Sequence, residues 1–208
     1  LGIAERAVDY NLSAAETAIS LFAFAEAEAF AAIALDHASD GNPAWARAHL
    51  LLATAELYLA RGGGEVHAAA AAGAFAALGD IEAAADAELI AARAQRILGR
   101  GEQARAAGER ALALVRDRPA SRAKARALIG WASTLSLSLG RYREAADLAR
   151  EGLALAVQLD VLPLQVSAHN ALALSLSNLN EGGEAEWERA IELGRGGVAP
   201  IETQFAFG

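Results

Sequence analysis

The sequence predicts an all-α protein built as an array of antiparallel helix hairpins. Three observations carry this. Ala supplies roughly a quarter of the 208 residues, and Ala is the best helix former. Helix-stop residues recur at regular spacing along the chain. The stretches between them carry apolar residues at helical intervals, with no alternating strand pattern to compete.

The elements follow from their punctuation. Ser13-Ala-Ala-Glu16 has the form of a capping box, so a helix is expected from there to about Ala38, with a break near 20–25 because the stretch is long. Asp40-Gly41-Asn42-Pro43 stops it. Asn42 suits an N-cap and Pro43 a first turn. The next helix runs to about Arg61 and ends in Gly62-Gly63-Gly64. Helices are then expected over about 65–78, 81–98, 102–117, 120–139, 142–159, 163–178 and 184–194; Gly79-Asp80, Gly99-Arg100-Gly101, Pro119 and Gly140-Arg141 close the first four, Pro163 opens the 163–178 helix and Gly182-Gly183 leads into the last. A further helix is expected to start after Pro200. It would pack Phe205 on the preceding hairpin and leave an apolar face open. Leu128, Ala132, Leu135 and Leu139 form one helical stripe, and Leu148, Leu155 and Leu159 another. Helices of roughly 14–18 residues joined by short turns can only fold back on one another.

The copies repeat. Gly140-Arg-Tyr-Arg-Glu-Ala145 with Gly152-Leu153 is matched by Gly99-Arg-Gly-Glu-Gln-Ala104 with Ala111-Leu112, and more loosely by Gly62-Gly-Gly-Glu-Val-His67 with Ala74-Phe75. Ala190-Ile191 ends a fourth copy, and the period is roughly 37 to 41 residues. The pattern Gly140-x-Tyr142-x-Glu144-Ala145 followed by Gly152-Leu153 resembles the turn and second helix of a tetratricopeptide repeat (TPR). The resemblance covers about 43–195. It implies a right-handed superhelical TPR-like α-α solenoid, with Trp131 and Tyr142 buried between helices and the first helix of each hairpin on the concave face. The chain departs from the family pattern in two ways. Trp-x-x-Leu-Gly is absent, with Ile129, Ala132 and Ser133 around Trp131, and the period exceeds the roughly 34 residues of the standard repeat. Arg- and Ala-rich copies with Lys124 as the single lysine resemble the helical arms of large multidomain signalling ATPases and transcriptional regulators of high-GC bacteria. Leu155-Ala-Val-Gln-Leu-Asp160 and Glu186-Trp-Glu-Arg-Ala-Ile-Glu-Leu193 add to that likeness. The expected organisation is one solenoid over 1–208, with repeats at about 1–40, 43–79, 81–117, 120–159 and 163–195 and a partial one from 199. The chain starts at Leu1 and has no methionine, where ordinary composition gives about four. A fragment of a longer protein is therefore expected, with methionines or loop residues missing from the sequence.

Composition narrows the function. A formal charge of −8 and a pI near 5.0 repel phosphate backbones, so direct nucleic-acid binding is not expected. The absence of cysteine removes disulfides and thiolate metal sites, and a cytoplasmic home is simplest. No apolar run approaches the roughly 18 residues of a membrane span. No Gly-x-x-x-x-Gly-Lys loop, Gly-x-Ser-x-Gly elbow or thiol nucleophile is present. Gly62-Gly63-Gly64 before a helix could hold an anion, but a hairpin turn is the plainer reading. His37, His49, His67 and His169 have no metal-ligand spacing on one helix, and a structural or surface role is expected. Glu26 and Glu28 face different directions. Arg116, Arg118, Arg122, Lys124 and Arg126 form a basic cluster that either docks an acidic partner or is a solvated turn near a helix C-terminus.

The expectation is a non-enzymatic, cofactor-free protein-interaction scaffold, binding a protein or peptide partner as the regulatory arm of a larger signalling or transcription-regulatory protein. The groove candidates on the first helices are His49, Glu56, Arg93, Arg96, Thr134, Ser138, His169 and Asn170. They lack the Lys/Asn/Arg set by which chaperone-type repeats grip a chain-terminal carboxylate. A homodimer through the exposed apolar terminal helix is a further partner. The alternatives are a helical small-molecule binder or enzyme with a pocket between helices, and a structural spacer.

Overall fold

Helix ends set this architecture. A computed structural model of the chain describes residues 2–195. Within them the regular structure is helical throughout, in the order α1 (Ile3–Ser20), α2 (Phe24–His37), α3 (Pro43–Tyr58), α4 (Gly64–Ala77), α5 (Ile81–Ile97), α6 (Gly101–Val115), α7 (Arg122–Thr134), a π-helical turn (Leu135–Leu139), α8 (Tyr142–Gln158), α9 (Leu162–Asn178) and α10 (Glu184–Arg195). No strand occurs among the described residues. The segment 199–208, and the open apolar face expected there, lie outside them.

Six helices end in the same way. A leucine is followed by one residue in the left-handed region: Phe22 (φ 60°), Ala60 (52°), Gly79 (78°), Gly99 (70°), Asp160 (51°) and Asn180 (56°). The next amide then donates to the carbonyl five residues back, as in Arg61 to Glu56, Asp80 to Phe75 and Val161 to Ala156, at 2.9–3.0 Å. This left-handed closure satisfies carbonyls that a helix end would otherwise leave bare, and the next helix starts after three to five residues. N-termini are capped where the sequence offers a side chain. The Asn42 carbonyl oxygen accepts from the Trp45 amide at 2.7 Å, Asp80 from Ala83 at 3.1 Å and Ser121 from Lys124 at 3.2 Å.

Two sequence expectations are corrected here. Ser13 does not cap a helix. It lies inside α1, which starts ten residues earlier, where the Gly2 amide donates to Glu5 Oε2 at 2.9 Å. The hydroxyl of Thr17 donates to the Ser13 carbonyl instead. The break near 20–25 does occur, at residues 21–23. Tyr142 is only half-buried. It is the first residue of α8, at the rim of its hairpin, where the turn leaves one side of the ring open.

The chain divides into two compact units, Leu1–Ala107 and Gly108–Gly208, with the division inside α6. In the first unit, α1 through α4 each pack on the next helix in sequence, and α1 also touches α3 and α3 touches α5. In the second, α7, α8, α9 and α10 pack in succession, and α7 touches α9. First helices of successive hairpins therefore adjoin and form a layer within each unit.

Small side chains make the contacts. One core cluster of the first unit consists of Ala53, Ala68, Ala91, Ala92 and Ala107, all at most 4% exposed. In α8 the buried face is Ala145, Ala146, Ala149, Gly152 and Ala156, while Leu148, Leu155 and Leu159 are half-buried at its flanks. The leucine stripe of α8 is thus a border, and the small residues one position away form the seam. Larger groups fill the second unit's core around Trp131 (3% exposed), Ile129, Leu135 and Leu172. A Cβ at Gly152 would stand 2.6 Å from Ile129 Cγ1, and one at Gly108 would stand 2.1 Å from Trp131 Cε3. Both helices approach α7 as closely as a hydrogen in place of a side chain allows.

The Trp131 seat generates a prediction. Trp131→Ala should cost about 3–5 kcal/mol in urea unfolding. Gly108→Ala should cost about 1–3 kcal/mol by overpacking, and pairing it with Trp131→Leu should recover part of that loss because the two side chains compete for one space. A Gly108→Ala loss below about 0.5 kcal/mol would contradict this seat.

Candidate partner-binding face

The first-helix layer of the first unit carries two polar groups that sequence spacing alone does not reveal. One is inside the second hairpin. His49 on α3 and His67 on α4 bring their Nδ1 atoms to 2.7 Å, and the Trp45 ring packs against His49 at 4.0 Å between centroids. His67 Nε2 stands 3.7 Å from Glu56 Oε1. Glu56 Oε2 is buried without a hydrogen-bond partner. Glu28 on α2 is paired with Arg61, and Glu65 at the start of α4 with Arg100 at 3.3 Å.

A 2.7 Å separation between two imidazole nitrogens is a hydrogen bond, with one ring donating and the other accepting. It needs at least one neutral ring. Two nitrogens on one zinc ion, each about 2.0–2.1 Å from it in a tetrahedral site, would lie further apart. Among the described residues no group of three or more His, Asp or Glu side chains is placed to hold a metal ion. Burial holds both imidazoles below the ordinary value of 6.5. In His49 the neighbouring His67 adds to the effect and Asp40 opposes it. Burial, then Glu28 and Glu65, hold the Glu56 carboxyl above its ordinary 4.5, against the pull of Arg61.

The second group lies on the seam between α3 and α5. Phe24, at the start of α2, stacks on Tyr58 at the end of α3, with centroids 4.4 Å apart and planes 9° from parallel. Arg93 of α5 sits over the Tyr58 ring, its guanidinium carbon 5.5 Å from the centroid. Arg96 follows one turn later, half-buried. Burial, and next the charge of Arg93, lower its pKa.

The groove candidates therefore divide. Arg93 and Arg96 come together on one seam. His49 and Glu56 are each 9% exposed and face inward, joined through His67. In the second unit Thr134 is buried, its hydroxyl donating to the Gly130 carbonyl at 3.1 Å. Ser138 is exposed in the π-helical turn. That turn forms where buried Ser136 reaches Ser175 at 2.7 Å, while the Ser175 hydroxyl donates to the Ala171 carbonyl. His169 pairs with Glu186 of α10 at 2.6 Å. Asn170 is half-buried, and both atoms of its amide group are sealed from solvent without partners. In the basic cluster, Arg116 pairs with Glu151 at 3.0 Å and Lys124 donates to the Arg118 carbonyl at 3.0 Å, while Arg118, Arg122 and Arg126 are exposed. The residues missed by sequence reading are Phe24, Tyr58 and His67. Their only signal was position: ring residues at helix ends, 34 residues apart for Phe24 and Tyr58.

The sequence matches no family model and no curated protein. Solved structures do match. A Rap protein complexed with Competence and Sporulation Factor aligns with a TM-score of 0.70 at 14% identity, over 99% of this chain and 63% of the Rap protein. Two structures of a kinesin-light-chain protein of Podosopora anserina with nearly identical TPR-like repeats align at 0.63 and 0.60. Their identities are 13% and 16%, over 91% and 92% of this chain and 93% of each neighbour. The fold is a TPR-like helical-repeat solenoid. No helix among the described residues is long and apolar enough to cross a membrane.

The histidine pair makes stability depend on pH in a stated direction. A lowered folded pKa means that the unfolded chain binds more protons, so stability is lost as pH falls from 6.5 through the folded values. Glu56 acts oppositely: its raised folded pKa favours the fold at low pH, and that contribution is lost as pH rises through it. The melting temperature should fall between about pH 8 and about pH 5.5, and His49→Gln with His67→Gln should flatten that slope. Glu56→Gln should raise the melting temperature at about pH 8, with the gain gone by about pH 4. A wild-type profile flat across the first window would contradict the buried neutral pair.

Proposed function

We propose that this chain is a protein-interaction module that binds a protein or peptide partner on its first-helix layer. The proposal extends to a regulatory arm of a larger cytoplasmic signalling or transcription-regulatory protein, with the repeated hairpins at about 1–40, 43–79, 81–117, 120–159 and 163–195 as its copies. The observation that carries it is the α3–α5 seam, where Tyr58, Arg93 and Arg96 present charge and an aromatic ring on adjoining first helices. Aromatic and arginine side chains together are the residues that dominate protein interfaces. The alignment with a Rap protein that is complexed with a factor supports the same use of the fold. The remaining candidates, His49, Glu56, Thr134, Ser138, His169 and Asn170, would shape that layer from within, Ser138 alone reaching fully into solvent. The net charge of −8 favours a protein over a nucleic acid. An open groove on the first hairpin, lined by Tyr10, Thr17, Leu21, Glu26 and Phe30 among others, offers one carboxylate and no base beside it, which is little for catalysis.

Hydrogen exchange on the complex with a captured partner tests the reading. Added protection is expected in α3 and α5 and not in α2 or α4. Protection confined to α2 and α4 would place the interface on the wrong layer. Turnover of a substrate by the isolated chain, abolished by one point substitution, would replace the interaction reading with an enzymatic one.

A further inference from the structure

The chemistry of the partner is written in the arginines, an inference that rests on the interaction reading above. In the first unit three guanidinium groups have a carboxylate supplied by another helix or turn: Arg47 pairs with Glu16, Arg61 with Glu28 and Arg100 with Glu65. In the second, Arg116 pairs with Glu151 and Arg143 with Glu181 across elements, while Arg141, Arg150 and Arg189 each pair with a carboxylate three residues away in sequence. Among the described residues Arg96 has no carboxylate and makes no side-chain hydrogen bond. Other arginines in that position, Arg6, Arg118, Arg122 and Arg195, are exposed, where water solvates the charge. Arg96 is half-buried, and the charge that acts on it is that of another cation, Arg93. Its nitrogens are not among the buried side-chain atoms left without a partner, and the residue keeps part of its surface exposed.

A helix C-terminus favours a cation in its last turn, and Arg96 is in the last turn of α5. That accounts for a solvated arginine at this place. It does not account for two arginines on one face at i and i+3, one of them fixed over an aromatic ring that is itself stacked on a second ring. Such fixation removes the side-chain freedom that a surface arginine would lose on binding. A planar fork with unfilled donors beside a second cation matches a carboxylate.

We propose that Arg93 and Arg96 form an anion subsite on the α3–α5 seam, which takes a carboxylate from an acidic stretch of the partner. Arg96 supplies the open fork, Arg93 the second positive charge, and Phe24 with Tyr58 the platform that holds it. The chain's net charge of −8 does not steer an acidic partner from afar. The contact acts within a Debye length of about 8 Å at physiological salt and weakens as salt rises. Phosphate presents related chemistry, and the test separates the two.

The probes are a blocked tetraglutamate peptide, a blocked tetralysine peptide and inorganic phosphate, each titrated calorimetrically into the full chain. Tetraglutamate is expected to bind and tetralysine not. Arg96→Gln should weaken tetraglutamate at least about tenfold, as expected for loss of a charge-assisted fork. Arg96→Lys, which keeps the charge and loses the fork, should fall between, and Tyr58→Leu should weaken binding through Arg93. Arg189→Gln, on exposed α10, should change nothing, and circular dichroism should show all variants equally helical. Absence of tetraglutamate binding at millimolar concentration, or equal binding by Arg96→Gln, overturns the proposal. Phosphate binding more tightly than tetraglutamate with the same dependence on Arg96 overturns the acidic-peptide assignment. A partner that protects α3 and α5 yet binds Arg96→Gln undiminished sinks the subsite and leaves the interaction module standing.

Discussion

Close approach between helices is the constraint on which the rest of this structure depends. A cluster of five alanines, drawn from α3, α4, α5 and α6, holds the middle of the first unit with no larger buried side chain in it. Gly64 at the start of α4 leaves room for only a snug Cβ, 3.3 Å from the Ala53 carbonyl. Each alanine methyl contributes little on its own, of order 0.8 kcal/mol per buried carbon. The stabilisation is distributed over many such contacts and over dispersion at native density. Backbones that approach this closely leave little room for polar side chains, and most of the buried ones satisfy one another or a helix carbonyl, as His49 with His67 and Ser136 with Ser175 do.

That pairing gives the candidate face its character. His49, His67 and Glu56 occupy the second hairpin, where Gly63 allows the Glu56 carboxylate within 3.2 Å of where a Cβ would stand. The rings hydrogen-bond one another at 2.7 Å, and burial more than any one charge lowers the pKa of both. At the helix ends the same geometry has a different result. Tyr58 and Phe24 stack beside two such closures, Phe24 just after the one at Phe22 and Tyr58 just before the one at Ala60. Arg93 is then presented by α5 to the platform so made.

The hairpins were legible in the sequence because their signals are local. Asn42-Pro43 and Gly79-Asp80 act within four residues of themselves, and so survive without tertiary information. Closures at Phe22, Ala60, Asp160 and Asn180 were harder, since these residues enter the left-handed region only when the surrounding turn imposes it. Ser13 misled for the opposite reason. Its local pattern has the form of a capping box, but the ten residues before it are already helical and continue the helix through it. The leucines of α8 misled because hydrophobic size was taken to mark the core, whereas the seam selects for smallness. In the candidate face, Arg93 and Arg96 were legible as polar residues on a first helix. The His49–His67 contact spans 18 residues across a hairpin and the Glu28–Arg61 pair spans 33. No spacing rule on a single helix reaches that far.

The small-residue seam is tested most directly on two adjacent residues of α4. Ala68 is fully buried and Ala69 is exposed, so they share helix, propensity and neighbours in sequence and differ in the face they occupy. Each is changed to Leu and unfolded in urea. Ala68→Leu is expected to lose about 1–3 kcal/mol or more from overpacking, and Ala69→Leu to stay within about 0.5 kcal/mol of the parent. Equal losses, or a gain at Ala68 from the added apolar volume, would contradict the account.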